Sequence, residues 1–101
     1  MKQSKSIVGE KAFVFAVLAV QNFKVLQDEK EFIMSKQFLR SATSIGANIE
    51  EASAAQSKKD FIAKMCIASK EARETHYWLR LLIATNYLQE DQALRTLWRR
   101  S

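Results

Sequence analysis

Nothing between Ser57 and Ile83 breaks a helix, and this run constrains the fold more than any other part of the chain. Ser57 is placed to act as N-cap, and Asp60 three residues later gives the spacing of a capping box with a carboxylate in the first turn. Phe61, Met65, Ala68, Ala72, Thr75, Leu79 and Leu82 follow at gaps of three and four, the pattern of a helix facing a helical core. The spacing predicts a helix over about 58–85, roughly 28 residues and about 42 Å long. A second flank, about 100° round, carries Ile67, Glu71, Glu74, Trp78 and Leu81. A helix covered on one side only has no need of that flank.

The rest of the chain extends the helical reading. Proline is absent and glycine occurs only at Gly9 and Gly46, so the frequent turns of a β-protein have no residues to make them. Hydrophobic residues at 48% with 27% charged argue against disorder. At 101 residues the chain makes one small all-α domain with a modest core.

The first helix is expected over about 6–28. It is apolar nearly all round from Ala12 to Val20, which marks a helix covered on more than one side, and partner subunits are the simplest source of that cover. This apolar run is nine residues long, against about 20 for a membrane span. It also runs on through Phe23, Val25 and Leu26 without a small-residue cleavage site, so a buried helix is expected rather than a signal peptide. Asp28-Glu29-Lys30-Glu31 reads as a solvated turn.

The second helix is expected over about 36–55, with Ser35 as N-cap and Phe38, Ala42, Ile45, Ile49 and Ala52 as its apolar seam. Arg40, Ser44, Asn48 and Glu51 form a second stripe, and with Glu71, Glu74 and Trp78 of the third helix they are candidate structural polar or interface residues. Gly46 inside this helix costs about 1 kcal/mol relative to alanine. Close approach of a neighbouring helix, or a local kink, accounts for it. The short break at Gln56-Ser57 makes the second and third helices antiparallel neighbours. Asn86 suits a left-handed C-cap for the third. A short fourth helix over about 90–100 presents Leu94, Leu97 and Trp98 on one face, acidic at its start and basic at its end.

The residue types give chemistry little support. His76 is the only histidine and Cys66 the only cysteine, with no metal-ligand spacing around either. Both read as surface or packing residues. Nucleophile-elbow and glycine-rich phosphate motifs are missing. No catalytic residue, cofactor or metal is expected, and the chain does not read as an enzyme. Glu71 and Glu74 read first as structural carboxylates needing partners, for which Arg40, Ser44, Asn48, Arg73 or another subunit are available. Ligand geometry or acid–base work are the lesser readings.

A net charge of +5 favours polyanionic partners. Lys58, Lys59 and Lys64 lie near one end of the third helix, Arg73 and Arg80 along it, and Arg95, Arg99 and Arg100 near the C-terminus. Tyr77 falls almost on the face of Arg73 and Arg80. Such a face can hold a phosphate backbone and stack a base. An ordinary solvated helix surface has the same look.

The strings Ser35-Lys36-Gln37-Phe38-Leu39-Arg40-Ser41-Ala42-Thr43-Ser44-Ile45-Gly46-Ala47-Asn48-Ile49-Glu50-Glu51-Ala52 and Lys70-Glu71-Ala72-Arg73-Glu74-Thr75-His76-Tyr77-Trp78-Leu79 resemble the four-helix bundle family named after the 23S rRNA intervening sequence protein. The resemblance runs from about Ile7 to Leu88. It implies a bacterial up-and-down four-helix bundle assembled as a ring-like homopentamer, while the single cysteine, Cys66, suits a reducing cytoplasm. It also implies kinship in fold with the accessory variability determinant of diversity-generating retroelements, a basic pentamer that binds nucleic acid and a reverse transcriptase. Leu18 stands where the family often has arginine, and Glu50 where a basic or small residue is common. The chain stops at Ser101 where relatives usually carry a longer fourth helix, so other oligomers and domain exchange stand beside the pentamer. The expectation is a non-enzymatic, self-associating four-helix bundle that binds RNA or DNA. A protein-interaction module with incidental charge is the alternative.

Overall fold

The structure, a computed structural model, describes residues 7–89. Among them are three helices and no strand: α1 (Ile7–Asp28), α2 (Met34–Ser53) and α3 (Lys58–Ala84). The fourth helix expected over 90–100 lies outside the described residues. α2 packs against both α1 and α3 and runs antiparallel to each. The pairing of ends shows this: Ala12 near the start of α1 meets Ile49 near the end of α2, and Ile49 meets Ala68 in the first half of α3.

Two apolar clusters fill the contacts. One joins Phe15, Ala19 and Leu26 of α1 to Phe38 and Ala42 of α2 and to Leu79 and Leu82 of α3, and Leu88 closes over it. The other joins Ala12, Ile49 and Ala68, with Ile45 and Met65 against it. Of the seams expected for α2 and α3, Phe38, Ala42, Ile49, Ala52, Ala68, Thr75, Leu79 and Leu82 are buried and Ile45, Met65 and Ala72 partly so, whereas Phe61 at the open end of α3 stays exposed. Leu18 is half-buried against the first cluster, whereas Glu50 is exposed. Gly46 faces Ala12: a methyl group built on it would stand 3.6 Å from the Ala12 Cβ. That is ordinary van der Waals contact, so α1 approaches α2 closely here without excluding a side chain, and α2 runs through the position as one helix.

The helix ends follow local chemistry. The Ser57 hydroxyl accepts the Asp60 N–H at 3.0 Å and caps α3 as its sequence predicts. Asn86 has φ 69° and Lys30 has φ 64°. Each sits one residue past a helix cap, with the following N–H reaching back into the last turn: Tyr87 to the Leu82 carbonyl and Glu31 to that of Leu26, both at 2.9 Å. These are paired bonds of the Schellman type.

The start of α2 corrects the expectation. Ser35 is not the N-cap but a fully buried residue inside the first turn, and the preceding Ile33 makes no side-chain cap. The Glu31 carboxylate does the capping instead. It accepts the N–H groups of Ile33, Met34 and Ser35 at 3.3, 3.0 and 2.7 Å. The turn is therefore not simply solvated: Glu31 is buried, and its carbonyl accepts the Ser35 hydroxyl at 2.7 Å. Gln27 Nε2 donates to Ser35 Oγ at 2.9 Å and ties the end of α1 to the start of α2.

Candidate functional site

α3 divides its charges between two flanks. Lys59, Lys70, Arg73, Tyr77 and Arg80 fall within about 80° of one another at 3.6 residues per turn, and all five are exposed. Lys58, also exposed, lies at the edge of this face. The carboxylates of α3, Asp60, Glu71 and Glu74, lie on the other flank and are only partly exposed. Glu71 and Glu74 point toward α2, where Arg40 receives both.

Arg40 Nη2 donates to Glu74 Oε2 at 2.6 Å, and Nη1 donates to the Glu71 carboxylate at 3.2 Å. The indole Nε1 of Trp78 also donates to Glu74 Oε2, at 3.1 Å. The Arg40 hydrogen bond, then that of Trp78, holds the Glu74 carboxyl below the usual carboxylate range. In return the hydrogen bond to Glu74 raises the Arg40 guanidinium further above its already high value. Trp78 is half-buried against the first apolar cluster, and its ring meets that of Tyr77 edge-to-face, with centroids 5.3 Å apart and planes at 72°.

The other expected residues are placed differently. Ser44 and Asn48 do not reach the glutamates: the Ser44 hydroxyl donates to the Arg40 carbonyl and Asn48 Nδ2 to the Ser44 carbonyl. Both bonds fall one turn back on α2, within reach of a short polar side chain. Glu51 is exposed, on a turn of α2 well removed from Arg40. Arg73 is not a partner of the glutamates either; its Nη1 donates to Ser69 Oγ at 3.0 Å. Lys64 leaves the basic face for the core-side flank of α3, 4.0 Å from the Asp60 carboxylate. Arg95, Arg99 and Arg100 lie outside the described residues. Lys70, which is not among the expected residues, belongs to the basic face; its signal in the sequence is the spacing of three to Arg73 and seven to Tyr77.

Cys66 and His76 are both exposed. Among the described residues no group of three or more His, Cys, Asp or Glu could hold a metal ion, and no helix is long and apolar enough to cross a membrane. On α1 an apolar surface stays open: Phe13, Val14, Val17 and Val20 are all exposed, Phe13 by 62%. Between α1 and α3 an open groove of about 360 Å³ is lined by Ala12, Phe15, Ile45, Ile49, Met65 and Ala72, among others, with Lys11 as its one charged side chain.

These features define an all-α protein of antiparallel helices with one basic face, one paired acidic flank and an uncovered apolar side. The chain belongs to the 23S rRNA-intervening sequence protein family, whose model matches residues 4–98. It is similar to a solved protein of unknown function from the S23 ribosomal protein family of Bacteroides thetaiotaomicron. The two are 52% identical, with a TM-score of 0.88 over 93% of this chain and 90% of that one. No curated protein matches the chain.

Proposed function

We propose that this chain is a non-enzymatic, self-associating helical bundle that binds RNA or DNA electrostatically, through the outward face of α3. The observation that carries the reading is the segregation of charge. Solvated helices generally mix signs, with acid and base a turn apart. Here the exposed face holds Lys59, Arg73 and Arg80 without a carboxylate, Lys70 at its border stands one turn from Glu74, and Glu71 and Glu74 are turned to Arg40. Self-association is supported by the open apolar side of α1 and multiplies the +5 charge of each copy. The open apolar groove between α1 and α3 supports the four-helix bundle of this reading, because a further helix is needed to cover it. The homopentamer, the bacterial source and a protein partner such as a reverse transcriptase come to this reading from the family resemblance, and the cytoplasm from the single cysteine, Cys66.

A second reading takes the same chain as a protein-interaction module, and the exposed Phe13, Val14, Val17 and Val20 favour it. One titration separates the two. Labelled RNA and DNA are titrated at about 50 and 200 mM salt with wild type, with Lys59, Arg73 and Arg80 changed to Ala, and with Arg95, Arg99 and Arg100 changed to Ala. The first triple variant is expected to bind more weakly with a shallower salt dependence, because fewer counterions are released. Absence of wild-type binding at the lower salt leaves the interaction module. Sedimentation equilibrium at micromolar concentration tests assembly, and a monomer of 11.6 kDa overturns it.

A further inference from the structure

The basic face of α3 holds one large aromatic side chain that the core does not use. Tyr77 is 52% exposed. Arg73 stands four residues before it and Arg80 three after, so both are its neighbours on the helix surface, with Cβ atoms about 5–6 Å away. Neither arginine makes an ion pair among the described residues.

The ring is also held in place. It meets Trp78 edge-to-face, and half of the residue stays exposed to solvent. Trp78 is fixed in turn by its bond to Glu74, and Glu74 by Arg40 at 2.6 Å. An exposed aromatic held this way loses little conformational freedom when something stacks on it. A tyrosine needed only for packing would bury its ring, and a cationic surface needed only for solubility has no use for it.

We infer that Arg73, Tyr77 and Arg80 form a stacking site for one unpaired base, which makes single-stranded nucleic acid, rather than duplex, the preferred ligand of this face. The inference rests on the nucleic-acid reading above. Bases inside a duplex have both faces covered by neighbouring pairs, so only its two terminal pairs offer Tyr77 a face to stack on. An unpaired base offers its π-face to the ring while the arginines take the phosphates on either side. Because every base has such a face, the site distinguishes strandedness and not sequence. RNA and DNA share this chemistry, and separate arms of the test tell them apart.

The test is fluorescence anisotropy at about 50 and 200 mM salt with a single-stranded RNA, a single-stranded DNA and a blunt RNA duplex of equal length. The proteins are full-length wild type, Tyr77→Leu, Tyr77→Phe and Arg73→Ala/Arg80→Ala, each checked for wild-type helicity and melting. Wild type is expected to prefer the single strands. Tyr77→Leu is expected to lose about 5- to 150-fold on them, the value of one stacked base, with its salt slope and duplex affinity unchanged. Tyr77→Phe, which keeps the ring and the fold, is expected to bind as wild type. The double arginine variant is expected to weaken on all three ligands with a shallower salt slope. If Tyr77→Leu binds single strands as wild type does, or weakens equally on duplex, or if Tyr77→Phe loses as much as Tyr77→Leu, the stacking site is overturned while electrostatic binding stands. Absence of binding to every ligand overturns both.

Discussion

The Thr75 hydroxyl donates to the Ser41 hydroxyl at 2.8 Å inside the α2–α3 contact, and neither residue has any exposed surface. Each oxygen also lies near a carbonyl of its own helix: Thr75 Oγ1 is 2.7 Å from that of Glu71, and Ser41 Oγ is 3.2 Å from that of Phe38. Removing one hydroxyl therefore does not strand the other. Thr75→Val keeps the shape and leaves Ser41 bonded to Phe38, so it is expected to cost about 1 kcal/mol, the net value of one hydrogen bond. Urea unfolding measures it. A loss above about 3 kcal/mol would mean that Ser41 is left without a partner, contrary to this geometry.

Acid stability should depend on Glu31. Burial on its own would raise its pKa, but the N–H groups of Met34, Ser35 and Ile33 bond the ionised form and together bring it below the ordinary value. A carboxyl depressed in the folded state contributes stability that is complete above its unfolded pKa and is lost as pH falls through the folded value. Wild type is expected to lose stability from about pH 4.5 downward. Glu31→Gln lowers stability at neutral pH and flattens this part of the profile. Thermal melts of both proteins between about pH 7 and pH 3 compare the slopes. Equal slopes would remove Glu31 from the acid transition.

Gly46→Ala is expected to stabilise the protein. The added methyl meets Ala12 at 3.6 Å, an ordinary van der Waals separation, and the backbone is already helical. The gain is the helix propensity difference, up to about 1 kcal/mol. A lower melting temperature would show that α1 and α2 lie closer together than this contact allows.

The fold was legible where periodicity and caps act locally. The seams of α2 and α3, the Ser57 cap and the left-handed Asn86 all depend on residues within one or two turns of each other. Ser35 misled because serine before an apolar run is the usual N-cap signal, while a glutamate four residues upstream reaching forward to the same N–H groups has no short-range signature. The acidic flank was half legible. Two glutamates beside Trp78 call for a cation, but only the α2–α3 register chooses Arg40 over Arg73, Ser44 and Asn48. Lys64 reads as part of a basic cluster by proximity in sequence, yet on the helix it turns toward Asp60 and the core side.

The Arg40–Glu74 pair should matter modestly and in a salt-dependent way. Although the bond is 2.6 Å, the side chains are 48% and 33% exposed, so solvent and ions screen most of its Coulomb energy. Arg40→Gln is expected to cost about 0.5–1 kcal/mol at low salt. Glu74→Gln is expected to cost somewhat more, because Trp78 Nε1 then faces a neutral acceptor at the edge of the core. A double-mutant cycle isolates the pair from the Trp78 bond. The coupling between Arg40 and Glu74 should approach zero near 1 M salt, where the Debye length is about 3 Å, while the part of the Glu74→Gln loss owed to Trp78 persists. Urea unfolding of wild type, both single variants and the double variant at about 50 mM and 1 M salt supplies every term. A coupling of several kcal/mol, or one indifferent to salt, would mean that the pair is shielded from water in the assembled protein. That result would place the Arg40 flank, rather than the open side of α1, in the contact between subunits.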